Sequence, residues 1–322
     1  MDWFSALTGL ASDRPDAVRA GIRCEGAELV LGATGRRLVA GRLTTPMLAE
    51  LPAPPTGPAR LRLREVVADV RALHGDPGNA GAVFQVASQF NLLEMVSPSA
   101  TPEDGIARYE TDRTQGPACA MACAAGTIYR NYFAPVGDQI GQSATRQLDM
   151  LADLGAALGN AEGALWAMQN GYALPRPGRL ATISQRIRGS NPAHLKGLLR
   201  VGVQAGTEVT LPGAGHLVHQ VYASALPVAY SLDPFDEGWE PFARLVLDAA
   251  YLATFAAAHS LGAKRLFLTR LGGGAFGNPP GWITDAMAGA IDRWQAAEME
   301  VVIVSHGRPS PANHPLLDRF VG

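Results

Sequence analysis

From residue 60 onward, apolar and polar positions fall into runs whose period switches between two and about 3.6, the pattern of strands alternating with helices. Residues 62–67 alternate polar and apolar side chains and predict a strand with one solvated face. The run Ala82-Val-Phe-Gln-Val-Ala87 is short and apolar, fit for a buried strand. A stretch of small residues over 116–129 predicts one long helix. Leu148, Leu151, Ala152, Leu154 and Leu158 recur at helical spacing and predict another over 146–158. Strands are predicted at 201–211 and 219–230. The helix predicted at 240–260 is apolar round most of its circumference, which implies burial between layers. A strand at 265–269, a helix at 282–297 and a buried strand at 301–305 complete the series. This order predicts an α/β fold of three layers, α/β/α, on a mixed or mostly parallel sheet.

Residues 1–59 differ. Two partly apolar runs, 28–31 and 37–41, flank Gly32-Ala33-Thr34-Gly35 and predict a β-hairpin. Leu51-Pro-Ala-Pro-Pro-Thr-Gly-Pro-Ala59 then breaks regular structure. The chain is therefore expected to divide into an N-terminal extension, 1–59, with a hairpin and a proline-rich strap, and a binding domain, 60–322.

Composition narrows the picture little. Hydrophobic residues make up 47% and charged residues 17% of the 322, ample for a core. The net charge of −2 lacks the basic footprint of a nucleic-acid partner. No window approaches 18 uninterrupted apolar residues, and residues 1–21 lack the pattern of a secretory signal, so neither a membrane span nor export is expected. Three sparse cysteines suit reduced thiols and a cytoplasmic setting. His216 and His219 sit three apart in a predicted strand and would face opposite ways, so no metal is expected, and no cofactor either.

The strongest chemical signal is a strand that runs into Gly272, Gly273, Gly274, Ala275, Phe276 and Gly277 and then toward a helix. Consecutive glycines let the backbone approach a ligand closely, and N–H groups at such a loop cradle an anion. Phe276 is either core or a flank for a ribose or base. Asp112-Arg-Thr114-Gln115-Gly116-Pro117 opens a second helix of small residues, either as a plain cap or as another anion-holding start. Two such starts on one sheet edge suit a diphosphate. Asp69, where a strand yields to a helix, is either its N-cap or an acceptor for a ligand amine. Gln85, Ser88 and Asn91, with Gln89, cluster in and just after a buried strand, where a sugar's hydroxyls would be good partners.

These pieces, in this order, resemble the macro-domain family over about residues 60–305. Val66-Val-Ala-Asp69 looks like the family's adenine-recognising strand end, and Gln85-Val-Ala-Ser88 stands where the family has an Asn pair near the distal ribose. Thr114-Gln-Gly116-Pro-Ala resembles its first phosphate loop, and Gly274-Ala-Phe276-Gly277 its second. The Gly-Gly-Gly-Ala-Phe-Gly loop resembles that of the poly(ADP-ribose) glycohydrolases more than that of the smallest macro domains, although the glycohydrolases' glutamate pair beside the first loop is absent. The resemblance implies a divergent macro-domain-like fold that binds ADP-ribose or a derivative, and either hydrolysis of an ADP-ribosyl linkage or reading of ADP-ribose, NAD or a related nucleotide as a signal. Cleavage at the distal ribose needs an acid or base nearby. Glu110 and Asp112, just before the first loop, are the expected catalytic groups, with Glu94 a further carboxyl in reach. Each can equally be a loop carboxylate paired with Arg108 or Arg113.

Overall fold

The structure is a computed structural model and describes residues 1–320. In chain order its strands are β1 (Ile22–Glu25), β2 (Glu28–Leu31), β3 (Arg37–Val39), β4 (Arg42–Thr44), β5 (Arg62–Val67), β6 (Val83–Ala87), β7 (Pro135–Val136), β8 (Gln139–Ile140), β9 (Trp166–Gln169), β10 (Tyr172–Pro175), β11 (Gly202–Glu208), β12 (Leu217–Ala223), β13 (Arg265–Leu268) and β14 (Glu300–Ser305). Its helices are α1 (Trp3–Thr8), α2 (Pro15–Gly21), α3 (Val70–Gly75), α4 (Gln115–Ala122), α5 (Ala124–Tyr132), α6 (Ala152–Ala157), α7 (Leu180–Arg188), α8 (Pro192–Gly197), α9 (Trp239–Ser260), α10 (Pro280–Trp294) and α11 (His314–Phe320).

Seven strands form the central sheet in the order β4-β11-β12-β6-β13-β14-β5. The pairs from β12 to β5 are parallel, and β4 and β11 add an antiparallel edge, so the sheet is mixed. Alternation along β6 shows the layers. Phe84 stacks on His74 of α3 with ring centroids 3.7 Å apart, while the Gln85 amide donates to Thr254 of α9 at 3.0 Å. Helices α3, α4 and α5 therefore cover one face, and α9, with α10, α7 and α8 packed on it, covers the other. Helix α9 is long and apolar enough to cross a membrane by composition, but 78% of its apolar window is buried within the protein, as expected of a helix between layers.

Two predicted helices come out differently. The one expected over 116–129 is broken at Cys123, because Thr210 enters the helical ladder: its N–H donates to Ala122 O at 2.9 Å and its hydroxyl accepts from Ala124 N at 3.1 Å. The one expected over 146–158 shrinks to α6, since Leu148 N donates to the Gln142 side chain and Met150 N to Phe90 O. Residues 1–59 are tied into the rest of the chain. The hairpin β2–β3 pairs with β1 in a small sheet whose apolar face shares a core with Tyr109, Ile128 and Tyr132, and β4 supplies the outer strand of the central sheet.

Candidate functional site

Strands β5, β6, β13 and β14 run parallel, so their carboxyl ends lie on one edge of the sheet, where open α/β sheets bind ligands. Residues at those ends, Ala68 and Asp69, Ala87 and Ser88, Thr269 and Arg270, and Ser305 and His306, line a cleft, and the first turn of α4 forms its other wall. The cleft has an outer chamber of about 700 Å³ and an inner one of about 310 Å³. Asp112, Thr114, Gln115, Thr269 and Arg270 border both.

The outer chamber is rich in cations. Arg71, Arg113, Arg270 and Arg308 line it beside Asp69, Glu110 and Asp112. Arg270 was not anticipated, although it directly follows a strand's carboxyl end. Its guanidinium donates to Pro280 O, Thr284 Oγ1, Ala312 O and Asn313 Oδ1, all uncharged, so its charge is left to the cleft. Asp69 lines this chamber and also caps α3, accepting from Arg71 N at 2.8 Å.

Two backbone segments offer donors, the glycine loop along the inner chamber and the start of α4 at the border of the two. In the glycine loop the N–H groups of Gly272, Gly274, Ala275 and Phe276 have no acceptor among the described residues, while Gly273, Gly277 and Asn278 N–H close turns within it. At α4 the N–H groups of Gln115 and Gly116 are similarly free, as first-turn amides are. Gly272 has φ 74°, and a Cβ there would sit 2.4 Å from Ala225 Cβ, so the loop needs glycine at that point. Gly274 faces open space. Gly273 and Gly277 do not line either chamber; they lie against Ile283 and Ala229. The Gln115 side chain pins α4 to the sheet, donating to Gln85 O at 2.8 Å and accepting from Ala87 N at 2.9 Å.

The predicted sugar-binding trio is split. Ser88 lines the inner chamber. Gln85 and Asn91 do not line the cleft, because their side chains are spent inside the protein. Gln85 donates to Thr254 Oγ1 and accepts from Thr269 N; Asn91 donates to Gln147 Oε1 at 2.8 Å and accepts from Leu93 N at 3.1 Å. Buried amides satisfy themselves wherever partners lie, and the sequence does not show which side they will find.

The carboxyls separate in the same way. Glu110 lines the outer chamber and is exposed, accepting from Trp3 N at 3.2 Å. Asp112 borders both chambers and holds Thr114 through its N–H and hydroxyl at 2.8 and 2.7 Å. Glu94 lines the inner chamber, is 4% exposed, and its Oε1 has no hydrogen-bond partner. Burial holds its carboxyl well above the usual carboxylate range, against the pull of Arg130 and with the help of Asp112. A Cβ on Gly116 would fall 2.1 Å from Glu94 Oε2, so the missing side chain of Gly116 is what admits Glu94 to the start of α4. The sequence signal was a lone carboxyl in the apolar run Phe90–Met95 after a buried strand.

Aromatic rings form the far wall. Tyr172, Tyr230 and Phe276 lie with centroids 5.1 to 5.8 Å apart, and Tyr172 donates to Met95 O at 2.6 Å. Tyr172 arrives from the β9–β10 hairpin, and neither tyrosine was foreseen. The geometry is a cleft lined by arginines and free backbone N–H groups, with a smaller chamber that holds one protonatable, unpaired carboxyl.

No protein-family profile matches the chain, and no curated protein matches it. Solved structures do. The poly(ADP-ribose) glycohydrolase from Thermomonospora curvata is 15% identical, with 94% of this chain and 95% of that chain covered and a TM-score of 0.45. The same enzyme bound to the inhibitor ADP-HPD is 14% identical at the same coverage, with a TM-score of 0.44. A variant of the poly(ADP-ribose) glycohydrolase from Deinococcus radiodurans, in complex with ADP-ribose, is 13% identical over 87% of this chain and 92% of that chain, with a TM-score of 0.47.

Proposed function

We propose that the chain binds ADP-ribose or a derivative along this cleft and hydrolyses an ADP-ribosyl linkage in the inner chamber. The observation that carries the proposal is the unpaired, buried Glu94 carboxyl at the end of a cleft lined by free backbone N–H groups and arginines. In this reading the adenine lies by Asp69, whose carboxylate accepts from the N6 amine. The diphosphate lies between the glycine loop and the start of α4, where N–H groups and the helix dipole favour negative charge. The distal ribose enters the inner chamber beside Ser88, Glu94 and Phe276. Glu94 passes its proton to the leaving group as the bond to C1″ breaks, and its carboxylate then takes a proton from the water that adds to C1″. Three unpaired cysteines fit the accompanying reading of a reducing, cytoplasmic setting.

Calorimetry with ADP-ribose tests binding, and release of ADP-ribose from a modified target tests hydrolysis; binding without turnover of any ADP-ribosyl substrate leaves a non-catalytic reader. Gly274→Val is the sharper probe, since a side chain there enters the cleft without meeting protein. The variant is expected to keep its melting temperature and to lose about 1–3 kcal/mol of affinity, the cost of overpacking a fitted site. Unchanged affinity in folded Gly274→Val places the diphosphate elsewhere. Asp69→Ala is expected to lose about 1–3 kcal/mol of ADP-ribose affinity for the charge-assisted hydrogen bond and about 1 kcal/mol of stability for the lost cap. Loss of stability alone reduces Asp69 to a helix cap.

A further inference from the structure

We infer that Arg130 is the positioning residue of this site: it holds the Gln89–Glu94 loop in the conformation that presents Glu94 to the inner chamber. The inference rests on Glu94 being the working carboxyl. Arg130 is 1% exposed and forms no ion pair among the described residues, an unusual state for a cation, because a buried charge normally demands a counter-charge. Its donors go to neutral oxygens instead. Nε reaches Leu92 O at 3.1 Å, Nη2 Thr127 Oγ1 at 3.0 Å and Nη1 Gln204 Oε1 at 3.5 Å, while the guanidinium lies over the Tyr222 ring at 3.6 Å.

The residue it grips is under strain. Leu92 has φ 63°, the left-handed region that a branched side chain rarely enters without outside support. Its side chain is buried, and Gly202 leaves room for it, since a Cβ there would lie 2.5 Å from Leu92 Cδ1. The rest of the loop is clamped around this point. Gln89 N donates to Leu93 O, Met95 N to Gln89 Oε1, Glu94 N to the Tyr109 hydroxyl, and the Gln142 amide bridges Asn91 O and Arg130 O. Two residues beyond Leu92 this chain delivers Glu94. Tyr109, Cys119, Tyr172 and Tyr222 feel the Glu94 charge. Two charged groups act on the Glu94 carboxyl in turn, Asp112 and Arg130, and only Arg130 is a cation. It therefore sets both where the carboxyl stands and how readily the proton leaves.

Two variants separate these roles. Arg130→Lys keeps the charge and loses the planar fork; Arg130→Met loses both. In Arg130→Lys we expect kcat to fall about 10–100-fold, as for a misplaced catalytic group, with KM little changed and the basic limb of the pH profile where it was. In Arg130→Met that limb moves to higher pH, because the cation no longer favours ionisation. Wild-type kcat in folded Arg130→Lys, or a fall matched by an equal loss of folded protein, overturns the inference. Two measurements need no turnover. The Leu92 Cα chemical shift in the free protein should leave its left-handed value in Arg130→Lys, and in the unmodified protein the Arg130 Nε proton should exchange as slowly as a core amide. If those shifts behave as expected while no ADP-ribosyl substrate is cleaved, the positioning role stands and the assignment as a hydrolase fails. A freely exchanging Nε proton overturns the positioning role whatever the variants do.

Discussion

Glu94→Gln is expected to lower turnover of an ADP-ribosylated substrate by about 10²–10⁴-fold, the usual cost of removing a general acid or base, while ADP-ribose affinity stays near that of the parent. The substitution keeps the shape of a side chain wedged between Gly116 and the loop that carries it, so the fold and the diphosphate contacts are preserved. It removes only the proton. Because burial holds the carboxyl above its usual range, the parent's activity should persist through mildly acidic pH and decline as pH rises and Glu94 ionises. Glu110→Gln serves as the contrast, since Glu110 is exposed in the outer chamber and held by Trp3 N. Asp112→Asn should weaken the turn that starts α4 and so lower affinity and rate together. Full activity in Glu94→Gln, with loss in Glu110→Gln, would move the chemistry to the outer chamber.

Protonation of His74 should cost the fold about 3 kcal/mol between pH 6.5 and 4. The ring is fully buried, stacked on Phe84, with Nδ1 on Val70 O at 2.8 Å and Nε2 facing the Gln220 amide at 3.1 Å. Val70 O can only accept, so Nδ1 carries the proton and Nε2 is the acceptor. The Gln220 amide is itself fixed, because its oxygen accepts from Tyr222 OH and its nitrogen donates to Cys119 O. A proton on Nε2 would thus point at an N–H. Burial pushes the His74 pKa down to about 4 from 6.5. The unfolded chain then binds the extra proton first, so stability is complete above pH 6.5 and is lost as pH falls toward 4. The gap of roughly 2.5 units is worth about 3 kcal/mol at 1.36 kcal/mol per unit. Glu94 opposes this trend, since a raised carboxyl pKa favours the fold at low pH. Denaturant titrations at several pH values on the parent and His74→Phe separate the two: the variant should be less stable at pH 7, with a Gln220 N–H left unpaired, and should lose the acid destabilisation due to His74, so that the stability gap between the two proteins closes as pH falls below 6.5. An identical slope in both proteins assigns the acid sensitivity to other groups.

The periodicity of the chain determined the layers. Residues 82–87, 265–269 and 301–305 have the apolar density of strands buried by helices on both sides, 62–67 alternates as a strand with one solvated face, and all four stand within a residue of β6, β13, β14 and β5. The glycines at 272–274 and the Asp112–Gly116 segment likewise located the cleft's two backbone walls, because N–H donors and close approach depend on local residue type. Side-chain direction was decided elsewhere. Gln85 and Asn91 read as sugar ligands from their polarity, yet Thr254 and Gln147, both distant in sequence, take their hydrogen bonds. Cys123 breaks a helix that the sequence runs straight through, because Thr210 reaches its ladder from another part of the chain. Glu94 became the inner carboxyl only through contacts of the same kind. Arg130 grips Leu92, Gly116 leaves the space, and Tyr172 comes from a hairpin nearly eighty residues on. Backbone propensity and apolar period are local and survive in one dimension. The partner of a buried polar group is whichever atom the folded chain brings near, and that is settled only in three.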